Sequence, residues 1–202
     1  MTAARQRLGV LGGAFDPPHL AHATLARVAI EQLGLNVLRV IPTGHAWHKT
    51  RVLSPAEDRL NMAVLAFAFC PKIIVDDRET RRVGPSYSID TLLELHAQNP
   101  LSDLFLIIGA DQAHSFAGWH RWQEVVQYAT ICVAGRSVAA LANGEFVPPS
   151  AFKDRFLKLE MASSPTSATA IRARVARSEP IAALVGDRVA RYISQHHLYL
   201  QT

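Results

Sequence analysis

The sequence predicts an α/β protein: a Rossmann-like open parallel sheet with helices on both faces and a helical C-terminal portion. Three observations carry that prediction. Short apolar runs recur at residues 8–11, 37–41, 72–76, 104–108, 130–134 and 156–159. Helix-like stretches separate the first several of them, and the runs are continuously apolar, as strands buried on both faces are. The chain of 202 residues is 49% hydrophobic, enough for a large core and too apolar for a disordered segment.

Each element has a local reason. The run at 8–11 feeds Gly12 and Gly13, so a strand ends in a tight turn. A helix follows over 18–33, with Pro18 suited to the first helical position and Gly34 to the position just past the end. Ser54-Pro55-Ala56-Glu57 has the form of a capping box opening a second helix over 55–69. Further helices are expected over 88–98, 119–128, 167–177 and 187–197, the last two following the sheet. Residues 135–150 are rich in Ala, Gly, Pro and Ser and are expected to form a surface excursion. No linker is visible, so a single domain over 1–202 is expected.

Composition excludes several classes. No apolar run approaches the roughly 18 residues a membrane-spanning helix needs. Cys70 and Cys132 lie in apolar runs, as buried thiols of a reducing compartment do, and a cytoplasmic location is expected. The net charge of +4 is spread over small groups such as Lys49/Arg51, Arg78/Arg81/Arg82 and Arg172/Arg174/Arg177. A nucleic-acid binder would show a dense basic stripe with aromatic platforms, whereas a mild positive balance suits substrates carrying several phosphates.

The chemistry concentrates in Gly12-Gly13-Ala14-Phe15-Asp16-Pro17-Pro18-His19-Leu20-Ala21-His22. A strand, a glycine turn and a helix N-terminus make an anion site, because unpaired N–H groups and the helix dipole face the turn. His19 and His22, three residues apart, share one face of the first helical turn. Neither a dinucleotide fingerprint nor a P-loop pattern occurs there.

This stretch resembles the signature of the nucleotidyltransferases built on a Rossmann-like fold, and is most similar to that of the bacterial nicotinate-nucleotide adenylyltransferases. Further segments match in order. Pro42-Thr43-Gly44-His45-Ala46-Trp47-His48-Lys49 is similar to a loop ending in His-Lys that covers the mononucleotide, with Ala46 and Trp47 where prolines are usual. Pro85-Ser86-Tyr87-Ser88 looks like a Ser-Tyr-Thr element with serine for threonine. Ile107-Ile108-Gly109-Ala110-Asp111 ends a strand beside the nucleotides in that family. Phe116-x-x-Trp119 matches the aromatic that stacks on the pyridine ring, and His120 follows where an aromatic is frequent. Lastly, Ser167-Ala168-Thr169-Ala170-Ile171-Arg172 resembles a motif contacting the ATP phosphates, with Thr166 where isoleucine is usual.

The resemblance implies adenylyl transfer from ATP to nicotinic acid mononucleotide in NAD biosynthesis. Implied ATP-binding residues are Gly12, Gly13, Phe15, His19, His22, Gly109, Asp111, Ser167, Thr169 and Arg172, with His19, His22 and Arg172 also carrying catalysis. Implied acceptor residues are His48, Lys49, Ser86, Tyr87, Ser88 and Trp119. The attacking 5′-phosphate is already largely dianionic near neutrality, so the transfer needs no general base. It needs in-line positioning and donors for the transferring group. Asp111 suits a ribose hydroxyl or the cap of a following helix, and Trp122 suits core packing. Nine histidines lack the spacing of a zinc site, so no protein-bound metal is expected and Mg2+ arrives with ATP. The rivals are a sister enzyme acting on nicotinamide mononucleotide or phosphopantetheine, and a non-catalytic nucleotide-binding module.

Overall fold

The computed structural model describes residues 5–45, 52–135, 148–162 and 164–200. Its strands are β1 (Gln6–Gly13), β2 (Val37–Pro42), β3 (Ile73–Val75), β4 (Ser102–Gly109), β5 (Ala129–Gly135) and β6 (Phe156–Glu160). They form one sheet in the order β3-β2-β1-β4-β5-β6, with β1–β4, β4–β5 and β5–β6 paired in parallel. That is the order of a Rossmann-type sheet. All six strands fall on the apolar runs. The helices are α1 (Leu20–Leu33), α2 (Ala56–Phe67), α3 (Arg78–Arg81), α4 (Ser88–Gln98), α5 (Ala110–His114), α6 (Trp122–Tyr128), α7 (Ala168–Ala176), α8 (Ala182–Val185) and α9 (Asp187–Gln195). The C-terminal portion is helical, as expected. The expected excursion at 135–150 falls largely on residues outside those described.

The chain divides into two compact units. One comprises Met1–Gly12, Leu25–Arg39 and Tyr87–Ser163. Its centre is β4, where Leu104, Phe105, Leu106, Ile107 and Ile108 are all buried. Burial on both faces is why this strand reads as an unbroken apolar run, and truncating one such leucine to alanine costs about 2–5 kcal/mol. On α4, Ile89, Leu92 and Leu95 recur every three residues and are fully buried. The end of α1 is closed as the sequence predicts: Gly34 has φ +58° and the Leu35 N–H donates to the Ile30 carbonyl at 3.1 Å. This is a Schellman cap, reinforced by Arg7 Nε donating to the Leu33 carbonyl at 2.6 Å.

The second unit comprises Gly13–Thr24, Val40–Ser86 and Ser164–Thr202. Its apolar centre joins Met62 of α2, Ile171 of α7, Val185 of α8, and Val189 and Ile193 of α9. The i, i+4 spacing of Val189 and Ile193 puts both on one helical face. Gly44 must be glycine, because a Cβ there would lie 1.9 Å from the Glu79 carbonyl oxygen.

Helix starts differ from expectation in three places. α1 begins at Leu20, so Pro18 precedes the helix instead of opening it. α2 begins at Ala56 and has no side-chain cap, because Pro55, which has no side-chain acceptor, takes the N-cap position instead of Ser54. α6 begins at Trp122, since Phe116–Gly118 forms a 3-10 turn that ends at Trp119. The short helices α3, α5 and α8 carry too few residues to show a period in the sequence.

Candidate active site

The second unit gathers most of the phosphate-side candidates. His19 is the N-cap of α1: its carbonyl accepts from the N–H groups of His22 (2.9 Å) and Ala23 (3.3 Å). In return His22 Nδ1 accepts the His19 backbone N–H at 3.2 Å. That is half of a capping box with an imidazole in place of the usual carboxylate. It also fixes the tautomer: with Nδ1 as acceptor, neutral His22 carries its proton on Nε2 as a donor. The two rings stack at 3.8 Å, and Phe15 meets the His22 ring edge-on at 5.2 Å. His19 is buried, and desolvation lowers its pKa to about 4, so it is neutral near pH 7. Its Nδ1 is buried with no hydrogen-bond partner.

Asp16 is the joint of this turn. Its carboxylate is 2% exposed and accepts from the Tyr199 hydroxyl at 2.6 Å and from the Ser54 N–H at 3.2 Å. Its carbonyl accepts from Arg172 Nη1 at 2.8 Å. Phe15, just before it, holds φ +48°, a region side chains other than glycine rarely adopt. Arg59, also 2% exposed, donates to the carbonyls of Ala14 (3.1 Å), Thr43 (2.6 Å), Gly44 (3.3 Å) and Ser54 (2.9 Å). One buried guanidinium thus ties three segments together by their backbone.

At the start of α7, Ser167 is the N-cap, its Oγ accepting from the Ala170 N–H at 3.2 Å. Arg172 Nη2 donates to Thr169 Oγ1 at 3.1 Å. His19, His22, Phe15, Thr169 and Arg172 therefore belong to one bonded neighbourhood through Asp16. A Cβ on Gly13 would lie 3.1 Å from the Phe15 ring, whereas one on Gly12 would meet nothing within 4 Å. Ser86 donates its N–H to the His45 carbonyl at 3.1 Å, and its Oγ is buried without a partner. His48 and Lys49 lie outside the described residues.

The first unit holds the remaining candidates. Gly109 is the N-cap of α5, so Asp111 sits inside that helix and does not cap it; its side chain is exposed. Ser88 opens α4 and Tyr87 is its N-cap. Tyr87 stacks on His120 at 4.2 Å, so the histidine at that position supplies a ring face. Trp119 leans on Phe116 at 5.2 Å and is half-buried. Trp122 packs edge-on against Phe116 and Phe152, the core role expected of it.

The residues missed in the sequence are Ser54, Arg59 and Tyr199, with Asp16 seen only as part of a motif. Arg59 had one signal, a charge beside the apolar positions Met62 and Ala63 of an amphipathic helix. Tyr199 had none. Among the described residues no group of three or more His, Cys, Asp or Glu side chains is arranged to hold a metal ion, and no helix is long and apolar enough to cross a membrane.

Residues 10–174 match the model of the cytidylyltransferase-like family. A protein of Albidiferax ferrireducens named as a probable nicotinate-nucleotide adenylyltransferase is 54% identical, over 96% of this chain and 98% of its own. One of the same name from Methylibium petroleiphilum is 41% identical, over 96% and 93%. Among solved structures, the nicotinic acid mononucleotide adenylyltransferase of Plasmodium falciparum complexed with NaAD superposes with a TM-score of 0.76 at 16% identity, covering 96% of this chain and 97% of that one. At that identity the likeness is one of fold.

Proposed function

The chain belongs to the cytidylyltransferase-like family and, within it, to the nicotinate-nucleotide adenylyltransferases, and from that premise we propose that it joins ATP and nicotinic acid mononucleotide to give nicotinic acid adenine dinucleotide and pyrophosphate. The observation that carries the reading is the His19–His22 pairing at the start of α1. It leaves a neutral His22 with its donor on Nε2, beside the N–H groups of a helix N-terminus.

In the reaction a phosphate oxygen of the mononucleotide attacks the α-phosphorus of ATP. The bond from that phosphorus to the bridging oxygen breaks, and pyrophosphate carries off the electron pair. No proton has to be removed from the nucleophile. What the protein supplies is donors aimed at the transferring group: His22 Nε2–H, the amides after Gly12 and Gly13, and the Arg172 guanidinium with Ser167 and Thr169. Neutral His19 packs against His22 and keeps its ring in place. Mg2+ enters as part of the substrate, bound to the ATP phosphates.

The acceptor is read by Trp119, which offers a ring face to the pyridine, and by Ser86, Tyr87 and Ser88, which offer donors to its carboxylate. His48 and Lys49 complete the proposed acceptor set. A cytoplasmic location accords with two free cysteines, of which Cys132 is buried and has its thiol pushed up to about 12 by that burial.

The test is pyrophosphate release from MgATP with nicotinic acid mononucleotide, nicotinamide mononucleotide and phosphopantetheine in turn. Turnover is expected with the first and sets the identity of the product. Release with phosphopantetheine alone, or with none of the three, overturns the reading.

A further inference from the structure

Among the described residues, Ser54, Arg172 and Tyr199 donate to Asp16 from segments remote in sequence, and of these Arg172 has a proposed role with substrate. Ser54 gives its backbone N–H to Asp16, and its side chain hydrogen-bonds the Tyr199 hydroxyl. Tyr199 gives a hydroxyl from 183 residues away, at the very end of the described chain. It reaches back after α9, in a segment where His197 and Tyr199 both adopt positive φ, at +52° and +64°. Conformations of that kind persist only where the surrounding structure over-determines them. Leu198 holds the segment by donating its N–H to the Ile193 carbonyl at 3.0 Å, and Leu198 and Tyr199 pack against the apolar cluster of Met62 and Ile193.

We infer that Tyr199 is a positioning residue for adenylyl transfer: its hydroxyl locks the Asp16 carboxylate, and through Asp16 it holds the turn that places His22. This rests on the reading of that turn as the site of transfer. The chain of connection is short. Asp16 lies three residues before His19, whose backbone N–H fixes the His22 ring through Nδ1. Phe15, on the other side of Asp16, has its strained backbone at φ +48° and its ring against His22. A turn built on such a residue relaxes when one of its anchors is removed, and the His22 donor moves with it. Burial, and the Asp16 carboxylate beside it, keep the Tyr199 phenol protonated well above its ordinary range, so it remains a donor wherever the protein is folded.

The hydroxyl of Tyr192 is a built-in comparison. It belongs to the same unit, donates to Asp58 Oδ1 at 2.8 Å and accepts from Asn61 Nδ2 at 3.1 Å, and neither partner belongs to the turn. Removing it weakens the same helical packing without unfastening Asp16.

The experiment compares full-length wild type, Tyr199→Phe and Tyr192→Phe by kcat and KM for both substrates, by Tm, and by imidazole 15N signals that report the His22 tautomer. Tyr199→Phe is expected to lose about ten- to a hundredfold in kcat, with KM for nicotinic acid mononucleotide within about twofold, a margin well below the tenfold of 1.4 kcal/mol. Its His22 is expected to shift from the single Nε2–H tautomer to a mixture. Tyr192→Phe should lower Tm comparably and leave both kcat and tautomer as in wild type. A Tyr199→Phe protein whose His22 tautomer is unchanged overturns the inference, whatever its kcat. So does a Tyr192→Phe protein with the same kcat loss, since the effect would then be one of general stability. Should wild type show no turnover while the tautomer shift appears, the anchoring of the turn by Tyr199 stands, and the proposed reaction, with the positioning role in it, fails.

Discussion

Hydrogen bonds reach the turn at Asp16 from donors 38, 156 and 183 residues away. The stretch around Trp119 is held by bonds that span three: Gly118 N–H to the Ser115 carbonyl, Trp119 to Phe116, and Trp122 to Trp119. The first region has a buried carboxylate, a buried guanidinium and a strained backbone, each fixed by polar partners. The second has ring faces, Trp119 on Phe116 and Tyr87 on His120, whose contacts are broad and tolerant of small shifts. Group transfer at phosphorus depends steeply on donor position, whereas stacking depends on it weakly. The two regions are constructed differently, and the proposed reaction assigns placement to the turn and affinity to the aromatic stretch.

The largest effect should come from breaking the first region at its donor. His22→Ala is expected to reduce kcat by about 100- to 1,000-fold, the usual loss for one preorganised donor, with Tm little changed. Retention of a tenth or more of wild-type kcat would remove His22 from the chemistry.

Arg172→Lys comes next. The guanidinium bridges the Asp16 carbonyl and Thr169 Oγ1, a geometry an ammonium does not reproduce. A fall of about ten- to a hundredfold in kcat/KM for ATP is expected, with KM for the mononucleotide nearly unchanged. A rise in the mononucleotide KM instead would assign Arg172 to the acceptor.

For the second region, Trp119→Ala should act on affinity. Loss of a stacking face is worth about 1–3 kcal/mol, or roughly five- to a hundredfold in KM for the mononucleotide, with kcat close to wild type. A variant that loses kcat and keeps KM would show that the stretch also serves placement, and the contrast between the two regions would collapse.

The last effect concerns stability alone and leaves the kinetic contrast untouched. Burial lowers the His19 pKa from 6.5 to about 4, so the unfolded chain takes up a proton more readily than the folded one. The stability this neutral histidine contributes is complete above about pH 6.5 and falls as pH drops towards 4, by about 2–3 kcal/mol in all. Urea titrations across that range should show the decline in wild type and a flatter profile in His19→Gln. Equal slopes would mean that another group titrates.

The same contrast explains what was legible in the sequence. The six strands were: the central ones, such as β4, are buried on both faces and read as unbroken apolar runs, while the half-exposed β3 and β6 were marked by short apolar runs alone. So were the Gly34 and Ser167 caps, whose chemistry is local. The glycine–histidine turn could be found, yet its geometry could not: α1 starts two residues later than Pro18 suggests, which makes His19 the cap and turns His22 back upon it. Ser54 looked like a helix cap, but Pro55 takes the N-cap position and the Ser54 backbone N–H goes to Asp16. Arg59 and Tyr199 act through partners that only the folded chain brings near, and no spacing rule joins residue 199 to residue 16. Around Trp119 the contacts of Phe116 with Trp119 and Trp122 are local and follow from their spacing, whereas the stacking of Tyr87 on His120 and of Trp122 against Phe152 joins residues far apart and was not legible.

The division of labour is tested most directly by the ratio of kcat/KM for nicotinic acid mononucleotide to that for its amide, measured in wild type and in Arg172→Lys. A carboxylate accepts the donors proposed for the acceptor site, while a carboxamide turns an NH₂ towards them and leaves groups unpaired. The account predicts a wild-type ratio of about 100 or more. It also predicts the same ratio, within about twofold (under 0.5 kcal/mol), in Arg172→Lys even as both absolute values fall. A wild-type ratio near one, or a ratio that collapses when Arg172 is changed, would contradict it.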